Sequence, residues 1–266
     1  MKQPLRYKLL WLFSFVVLIY IMSPIIFVII NSFSSVAFNV FPPPGFSLQW
    51  YHRVMGQPQF LDAFLRSVYV AAITALVSIV LGTSASLALV RYKFFGRDLL
   101  KAFFMSPLVM PRIVIGIALF IFFVRIGFFG NVPSLILAHT VISMPFVITI
   151  VTANLMGLDQ SLEEASMDLG ARRFTTFSRI VLPQILPGLS IAGLFAFITS
   201  FDQVETSLFL VRPVNNTLPI EMFLYMERWQ DPTIAALSTL LIALSVVLVL
   251  GIKVLFSKVD VFKMLD

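Results

Sequence analysis

Acidic and basic side chains are concentrated in one short stretch of an otherwise apolar sequence. Residues 163–183 read EEASMDLGARRFTTFSRIVLP and hold six of the 32 charged residues, of which 19 are basic and 13 acidic. The six are Glu163, Glu164, Asp168, Arg172, Arg173 and Arg179. A short helix with both charged and apolar side chains can bind a groove on a partner protein. It can equally belong to an ordinary loop that keeps its charges in water, and the residues alone leave the two interpretations balanced.

The same stretch contains the signals of two short helices. Ser161 and Glu164 have the spacing of a capping box, in which the serine caps the helix and the glutamate bonds back to it. Gly170 is the residue type that most often ends a helix in the left-handed conformation. A second helix is predicted over 172–181, and Pro183 marks the return to apolar sequence. The pattern predicts two rigid helices at an angle.

A second set of ionisable side chains lies inside apolar stretches, together with two prolines. Charge is costly at membrane depth, so such residues are functional candidates. The set is Pro107, Pro111, Arg112, His139, Asp202 and Glu205. The prolines are expected to break or kink their helix beside a cavity, and the two acids to share one helix face. The plainer interpretations are that Arg112 pairs with an acid, that His139 packs as a neutral ring, and that the acids mark a rim.

Composition places most of the chain in a lipid bilayer. The 266 residues are 59% hydrophobic and 12% charged, against about 45–50% and about 25% in soluble domains. Apolar stretches near the roughly 20 residues that span a bilayer occur at about 9–30, 64–90, 102–124, 132–153, 186–211 and 233–256. We therefore predict an all-α polytopic membrane protein with six transmembrane helices. The first stretch is too long for the apolar core of a signal peptide.

Lysine and arginine placement predicts the orientation of these helices. With the N-terminus in the cytoplasm, 13 of the 19 basic residues fall in cytoplasmic segments, as the positive-inside rule requires. Both termini and residues 163–183 are then cytoplasmic. The net charge of +6 is explained by these loops and needs no nucleic acid. Cysteine is absent, which excludes disulfides and thiolate metal sites, and no metal site is predicted.

The charged stretch has the residues of a known signature. Glu164-Ala165-Ser166, Gly170, and Ile180 with Leu182-Pro183 have the spacing of the EAA motif, so the chain resembles the permease subunits of ABC importers. Ser166 is the one departure, since alanine is usual there. NSFSS, RYKFFGR and LPIEMF are similar to the spermidine/putrescine-type permeases, and the resemblance covers nearly the whole chain. Arg112 stands where polyamine permeases tend to carry an acid, which favours an anionic or zwitterionic solute, such as an opine, an amino-acid derivative or a phosphonate.

The resemblance implies the type I importer permease fold and a location in the bacterial cytoplasmic (inner) membrane. It implies ATP-driven import of a small organic solute, a polyamine, an opine or an amino-acid-like compound, by alternating access, and an anionic solute such as a phosphonate is the alternative. The implied partners are two cytoplasmic ATPase subunits that bind ATP and Mg²⁺, a second, non-identical permease subunit, an extracytoplasmic solute-binding protein, and lipid. The chain itself has no G-x-x-x-x-G-K-[ST] phosphate loop, so it is not expected to be an enzyme. An ion-coupled carrier would show paired interrupted helices, and only one is evident here.

The resemblance also implies how the chain is organised. Residues 1–63 form an N-terminal helix and outer loop, 64–258 a core of five helices, and 259–266 a cytoplasmic tail. Residues 154–185, hereafter the EAA loop, form the coupling element. The residues expected to dock on the ATPase are Glu163, Glu164, Ala165, Ser166, Asp168, Leu169, Gly170, Ala171, Arg172 and Phe174. The translocation pathway is expected at the proline and ionisable residues named above.

Overall fold

The computed structural model describes residues 5–38 and 40–256, which form helices joined by short connections. The helices are α1 (Leu5–Ser32), α2 (Gln49–Met55), α3 (Pro58–Arg91), α4 (Arg97–Val109), α5 (Arg112–Arg125), α6 (Val132–Met156), α7 (Ser161–Asp168), α8 (Arg173–Thr176), α9 (Leu182–Phe201), α10 (Ser207–Leu210), α11 (Leu218–Arg228) and α12 (Thr233–Phe256). A π-helical turn, Phe177–Val181, lies between α8 and α9. The all-α prediction is confirmed. The predicted tail, 259–266, lies outside the described residues, and the predicted domain boundaries stay a prediction.

Within residues 5–38 and 40–256, four helices are long and apolar enough to cross a membrane, namely α1, α3, α6 and the helix that runs over Arg173–Phe201. The pair α4 and α5 adds a fifth if the two are counted as one bent span. In α12 the apolar helix is described over Thr233–Leu248, shorter than these. Each of the six predicted stretches therefore lies largely on helix, with breaks in the third and the fifth, while the number of spans stays a prediction.

The third apolar stretch is interrupted by a bend of 110° between α4 and α5. Met110 has a ψ of 140°, the extended backbone that the ring of the following Pro111 favours, so α4 ends there. Pro107 lies inside α4. The Ser106 hydroxyl donates to Phe103 O at 2.8 Å, and that carbonyl is the one that Pro107, without an N–H, leaves without its helical partner. The expected break is thus at Pro111, and Pro107 is accommodated within the helix.

Residues 61–221 form one compact unit built around α6. This helix is apolar on all sides, as expected of a helix with neighbours on several faces. Its C-terminal half packs on α9 through Val147, Val151, Leu155, Ile185, Ala192 and Ala196. Its N-terminal half packs on α3, α5 and α10 through Leu135, Ala138, Val70, Phe123 and Leu210. α6 is therefore the element against which the other helices of this unit are positioned.

Glycines allow close helix approaches in this unit. A Cβ at Gly82 of α3 would lie 2.7 Å from Cγ1 of Val147 on α6. A Cβ at Gly188 of α9 would overlap the amide of Asn154, also on α6. Between helices in lipid, van der Waals packing replaces much of the hydrophobic driving force, and small residues make that packing close.

The residues up to Phe60, together with those from Met222 onward, form the other unit. Here α12 packs along α1 and against α2. Trp50 Nε1 donates to Ser34 O at 2.6 Å, and Arg53 Nη1 lies 2.6 Å from Asp231 Oδ2. The most apolar window of α1 contains no buried residue, as expected of a helix whose sides meet lipid.

Gly82→Ala is expected to destabilise the protein, because the added methyl group overlaps the fully buried Val147. Overpacking of this kind costs about 1–3 kcal/mol, and thermal denaturation of the detergent-purified protein measures it. Gly157→Ala is the matched control, since a Cβ there would meet nothing closer than 3.5 Å. Equal losses of stability in the two variants would contradict the close approach of α3 and α6.

Candidate functional site

The first turn of α7 is held by Asp159. The Ser161 N–H donates to Asp159 Oδ1 at 3.0 Å, and this bond lowers the pKa of the Asp159 carboxyl. The N–H groups of Glu163 and Glu164 donate to Gln160 O at 3.0 and 3.1 Å, so Gln160 is the N-cap residue, and its side chain makes no capping hydrogen bond. The predicted capping box is therefore wrong. A carboxylate two residues upstream takes the place of the serine hydroxyl, because an ionised acceptor binds an N–H more strongly.

The end of α7 follows the prediction. Gly170 has a φ of +84°, in the left-handed region that L-residues rarely adopt. Its N–H donates to Met167 O at 2.9 Å, and the Ala171 N–H donates to Ser166 O at 3.1 Å. These are the two hydrogen bonds of the Schellman motif. The chain therefore leaves α7 through a turn that depends on glycine.

The second predicted helix of the EAA loop is not separate from the membrane helix that follows. α8, the π-helical turn and α9 run as one helix over Arg173–Phe201. Pro183 lies in the first turn of α9 and makes no corner. Proline holds φ near the helical value, and a π-helical turn is an irregularity that a longer helix can contain without ending. The prediction of two short helices is thus corrected: only α7 stands alone.

The ten docking candidates divide between two sides of the EAA loop. Glu163, Ser166 and Ala171 are only partly exposed. The other seven are exposed: Glu164, Ala165, Asp168, Leu169, Gly170, Arg172 and Phe174. Leu169 and Phe174 expose 90% and 79% of their surface, which is unusual for large apolar residues in water. The exposed set mixes acids, a base and apolar side chains, as helices that insert into a partner's groove do.

The inward-facing residues hold α7 to the rest of the unit. Ser166 Oγ lies 3.1 Å from Thr176 Oγ1 on α8. Glu163 Oε1 accepts a hydrogen bond from Arg91 Nη2 at 2.5 Å, and the Glu163 and Arg91 side chains are 15% and 13% exposed. The neighbouring Glu164 is exposed, so the two adjacent glutamates differ in burial.

A cavity of about 690 Å³ lies between α3 and the EAA loop. Apolar side chains line much of it, from α3 (Ile79, Val80, Leu87), the π-helical turn (Phe177) and α9 (Leu182, Leu189). Ionisable side chains from both sides also line it: Arg91, Tyr92, Glu163, Glu164 and Arg173. The apolar contact between α3 and the loop is therefore incomplete.

A polar cluster forms where α5 begins. Arg112 Nη1 lies 3.5 Å from Gln203 Oε1 and 4.0 Å from Glu205 Oε2. Gln203 Nε2 donates to the same Glu205 carboxylate at 3.2 Å, and Thr206 Oγ1 donates to Arg112 O at 3.1 Å. The plainer interpretation of Arg112, an arginine paired with an acid, therefore describes the structure. The two charged side chains are 43% and 47% exposed, so their attraction is weak.

Asp202 and Glu205 do not share a helix face, contrary to the expectation. α9 ends at Phe201, Asp202 follows as its C-cap, and Glu205 lies in the turn before α10. The apolar stretch predicted over 186–211 thus contains a break. Ser207 Oγ donates to Gln203 O at 2.7 Å and pairs one carbonyl that the break exposes, as irregular backbone in a membrane requires. Asp202 itself is exposed.

His139 joins the two sides of this break to α6. Its ring is 1% exposed, with Nδ1 2.8 Å from Ser200 Oγ and Nε2 2.8 Å from Ser207 Oγ. Because the Ser207 hydroxyl donates to Gln203 O, it accepts from His139 Nε2–H, and Nδ1 accepts from Ser200. This is the bonding of a neutral imidazole. The packing interpretation of His139 therefore describes the structure, and a solute would have to displace a serine to reach the ring.

Sequence reasoning missed four side chains of these sites: Arg91, Ser200, Gln203 and Ser207. Arg91 had a usable signal, since it is the basic residue at the end of a long apolar stretch and faces the same side as the EAA loop. The serines had none, because serine is common in membrane helices and bonds its own helix as readily as a neighbour.

Comparison with known proteins places the chain in a family. Residues 78–261 match the family described as the binding-protein-dependent transport system inner membrane component. The chain is 32% identical over 232 residues to the spermidine/putrescine transport system permease protein PotC of Escherichia coli, covering 87% of this chain and 88% of PotC. It is also 32% identical over 230 residues to the putrescine transport system permease protein PotI of the same organism, covering 84% and 82%.

Solved structures share the fold. One chain of a bacterial ABC transporter involved in the import of the acidic polysaccharide alginate matches with a TM-score of 0.70 and 15% identity, covering 95% of this chain and 99% of that one. A chain of the MetNI methionine ABC transporter in an inward-facing conformation matches with a TM-score of 0.57 and 20% identity, covering 76% and 98%. The protein belongs to the binding-protein-dependent inner-membrane permeases and has the ABC importer permease fold.

Ser207→Ala is expected to destabilise the protein, because it leaves His139 Nε2–H and Gln203 O without their shared partner. Unpaired buried polar groups cost about 1–3 kcal/mol, which thermal denaturation in detergent measures. Ser190→Ala is the control, since that exposed serine bonds Leu186 O of its own helix. A loss no larger than that of Ser190→Ala would contradict the assigned bonding of His139.

Proposed function

We propose that this chain is the membrane-spanning subunit of an ATP-driven importer, and that the exposed side of its EAA loop docks on cytoplasmic ATPase subunits. The observation that carries the proposal is the set of seven exposed residues on α7, its glycine turn and the start of α8. Leu169 and Phe174 supply apolar surface, and Glu164, Asp168 and Arg172 supply charge around it. This combination suits a groove on a soluble partner.

The proposal assigns ATP and Mg²⁺ to the partner ATPase subunits, since this sequence has no phosphate-binding loop. Two ATPase subunits bind below the membrane, and a second, non-identical permease subunit completes the pathway. An extracytoplasmic binding protein delivers the solute, in keeping with the family description. Both termini lie in the cytoplasm, as the distribution of basic residues predicts.

Alternating access is the mechanism that we propose for this machine. ATP binding brings the ATPase subunits together, and α7 and α8 move with them. Because α8 is continuous with α9, the movement tilts a membrane helix as one body, and the pathway opens outward to accept the solute. Hydrolysis returns the pathway to the inward-open state.

The solute that we propose is a small organic cation of the polyamine type. Glu205 and Gln203 contact Arg112, so the positive charge of Arg112 is offset, while Asp202 remains exposed at the end of α9. The formal charges of Arg112, Glu205 and the neighbouring Asp202 therefore sum to a net negative charge. The relatives named spermidine/putrescine and putrescine permeases support the same choice.

An anionic or zwitterionic solute, such as an opine, an amino-acid derivative or a phosphonate, is the second candidate. One observation favours it: the Arg112 side chain is 43% exposed and lies 4.0 Å from Glu205. An acidic solute that displaces the Glu205 carboxylate would find a guanidinium with free donors.

Glu164→Lys is expected to uncouple the transporter. The lysine reverses the charge of an exposed docking residue, so uptake by the reconstituted complex falls about tenfold or more, since like charges across an interface cost several kcal/mol. Uptake and ATP hydrolysis are measured in proteoliposomes with the binding protein. Asp98→Lys, at an exposed acid of α4, is the control and is expected to transport normally. Normal uptake by Glu164→Lys would remove this residue from the docking surface.

Asp202→Asn separates the two solute classes. For a cation such as spermidine the loss of one attractive charge weakens uptake by about 1 kcal/mol, roughly fivefold, whereas an acidic solute is taken up equally or better. Asp62→Asn, at another exposed acid, should leave uptake unchanged. Unchanged spermidine uptake in the Asp202 variant, with improved uptake of an acidic solute, would favour the second candidate.

A further inference from the structure

The C-terminal end of α3 contacts both flanks of the EAA loop, although α3 is not covalently adjacent to it. Arg91 is the last residue of α3, and it binds Glu163 on α7. Tyr92 follows directly, and its hydroxyl accepts a hydrogen bond from Arg173 Nη1 at 2.7 Å. Glu163 precedes the glycine turn at Gly170, and Arg173 follows it. Two consecutive residues therefore bind the loop on either side of its turn.

The contact with α7 is a nearly buried ion pair. Arg91 Nη2 donates to Glu163 Oε1 at 2.5 Å and lies 3.3 Å from Leu155 O at the end of α6. One guanidinium thus meets the ends of three helices: the C-termini of α3 and α6, where positive charge is favourable, and the first turn of α7, where the carboxylate is favourable. Breaking a pair of this kind from one side leaves a largely desolvated charge behind.

The contact with α8 combines a cation–π interaction with a hydrogen bond. The Arg173 guanidinium lies 5.5 Å from the centre of the Tyr92 ring and also donates to its hydroxyl. A cation over an aromatic face is held over a range of angles, so this contact tolerates rotation of the α8–α9 helix. The ion pair is the tighter of the two contacts.

Apolar packing between α3 and the loop is partial: Leu87 and Val90 of α3 pack on apolar residues of the loop and of α9. A cavity of about 690 Å³ lies between α3 and the loop, and all four side chains of the two polar contacts border it. Elsewhere in the unit, movement passes between helices through close apolar contacts, as between α6 and α9. Between α3 and α7 it passes through the ion pair, and between α3 and the α8–α9 helix the tyrosine–arginine contact adds to this apolar packing.

We infer that Arg91 with Glu163, and Tyr92 with Arg173, form a clamp that transmits movement of the EAA loop directly to α3. The inference rests on the proposed docking function and adds a third helix to the two that the loop joins covalently. Arg91 and Tyr92 act as positioning residues: they need not touch the ATPase or the solute. Loss of the clamp leaves the ATPase bound but lets the loop move without α3.

The test uses the complete transporter in proteoliposomes, with ATP hydrolysed per solute imported as the readout. Glu163→Gln keeps the side-chain shape and removes the charge, Arg91→Gln removes the guanidinium, and each is expected to raise this ratio about fivefold or more, within the usual range of coupling energies between sites. Both variants are expected to co-purify with the ATPase as the wild type does. The exchange of the pair, Arg91→Glu with Glu163→Arg, is expected to recover much of the coupling, and Lys93→Ala, at the exposed residue beside Tyr92, is the control.

The outcomes distinguish a coupling role of these residues from a docking role. A ratio equal to that of the wild type in Glu163→Gln and in Arg173→Gln overturns the clamp. Loss of the ATPase from Glu163→Gln also overturns it, because Glu163 would then belong to the docking surface. If an Arg91 variant does not fold, Tyr92→Phe and Arg173→Gln still test the contact with α8. Tyr92→Phe keeps the ring contact, so its ratio of ATP hydrolysed to solute imported is expected to lie between those of Arg173→Gln and the wild type. A wild-type complex that binds no ATPase refutes the proposed function, a result distinct from all of these.

Discussion

The close packing of α6 on α9 is the contact on which the rest of the described unit depends. The EAA loop begins at the end of α6 and continues into α9, so the loop stands on two helices that are already locked together. Ala192 and Ala196 are fully buried against α6, and Gly188 leaves room for Asn154. Because a membrane interior supplies little hydrophobic force between helices, such small residues are what hold the base of the loop firm.

The irregular parts of the backbone are placed where side chains can bond them. In the bend between α4 and α5, Ser106 bonds the carbonyl that Pro107 leaves free. In the break after α9, Ser207 bonds Gln203 O, and His139 on α6 hydrogen-bonds both Ser200 and Ser207. Water cannot satisfy these groups at membrane depth. One of the predicted pathway residues, His139, therefore has both ring nitrogens hydrogen-bonded within the protein.

Helix type and position could be predicted because lipid leaves a spanning chain few alternatives to helix. The bend at Pro111 and the turn at Gly170 could be predicted because proline and glycine restrict or permit particular backbone angles. The break after Phe201 could not: residues 202–206, DQVET, contain neither proline nor glycine, and the break is held by contacts from α5 and α6 that are distant in sequence. The cap of α7 was misassigned for a local reason, since Asp159 and Ser161 are both good capping residues and only the start of the first turn decides between them. The partner of Arg112 was open in the sequence because Asp202 and Glu205 are equally acidic.

The continuous helix over Arg173–Phe201 changes what the EAA loop can do. Its 29 residues span about 43 Å at the usual rise per residue, so one rigid element joins the exposed Phe174 to Asp202 at its far end. A loop of two separate helices would pass only part of any displacement into the membrane, because the hinge between them would absorb the remainder. Here the turn at Gly170 separates α7 from this long helix. In the proposed mechanism, a partner that displaces Phe174 would tilt the whole helix about its contact with α6, and the tilt would reach the polar cluster around Arg112 at the other end.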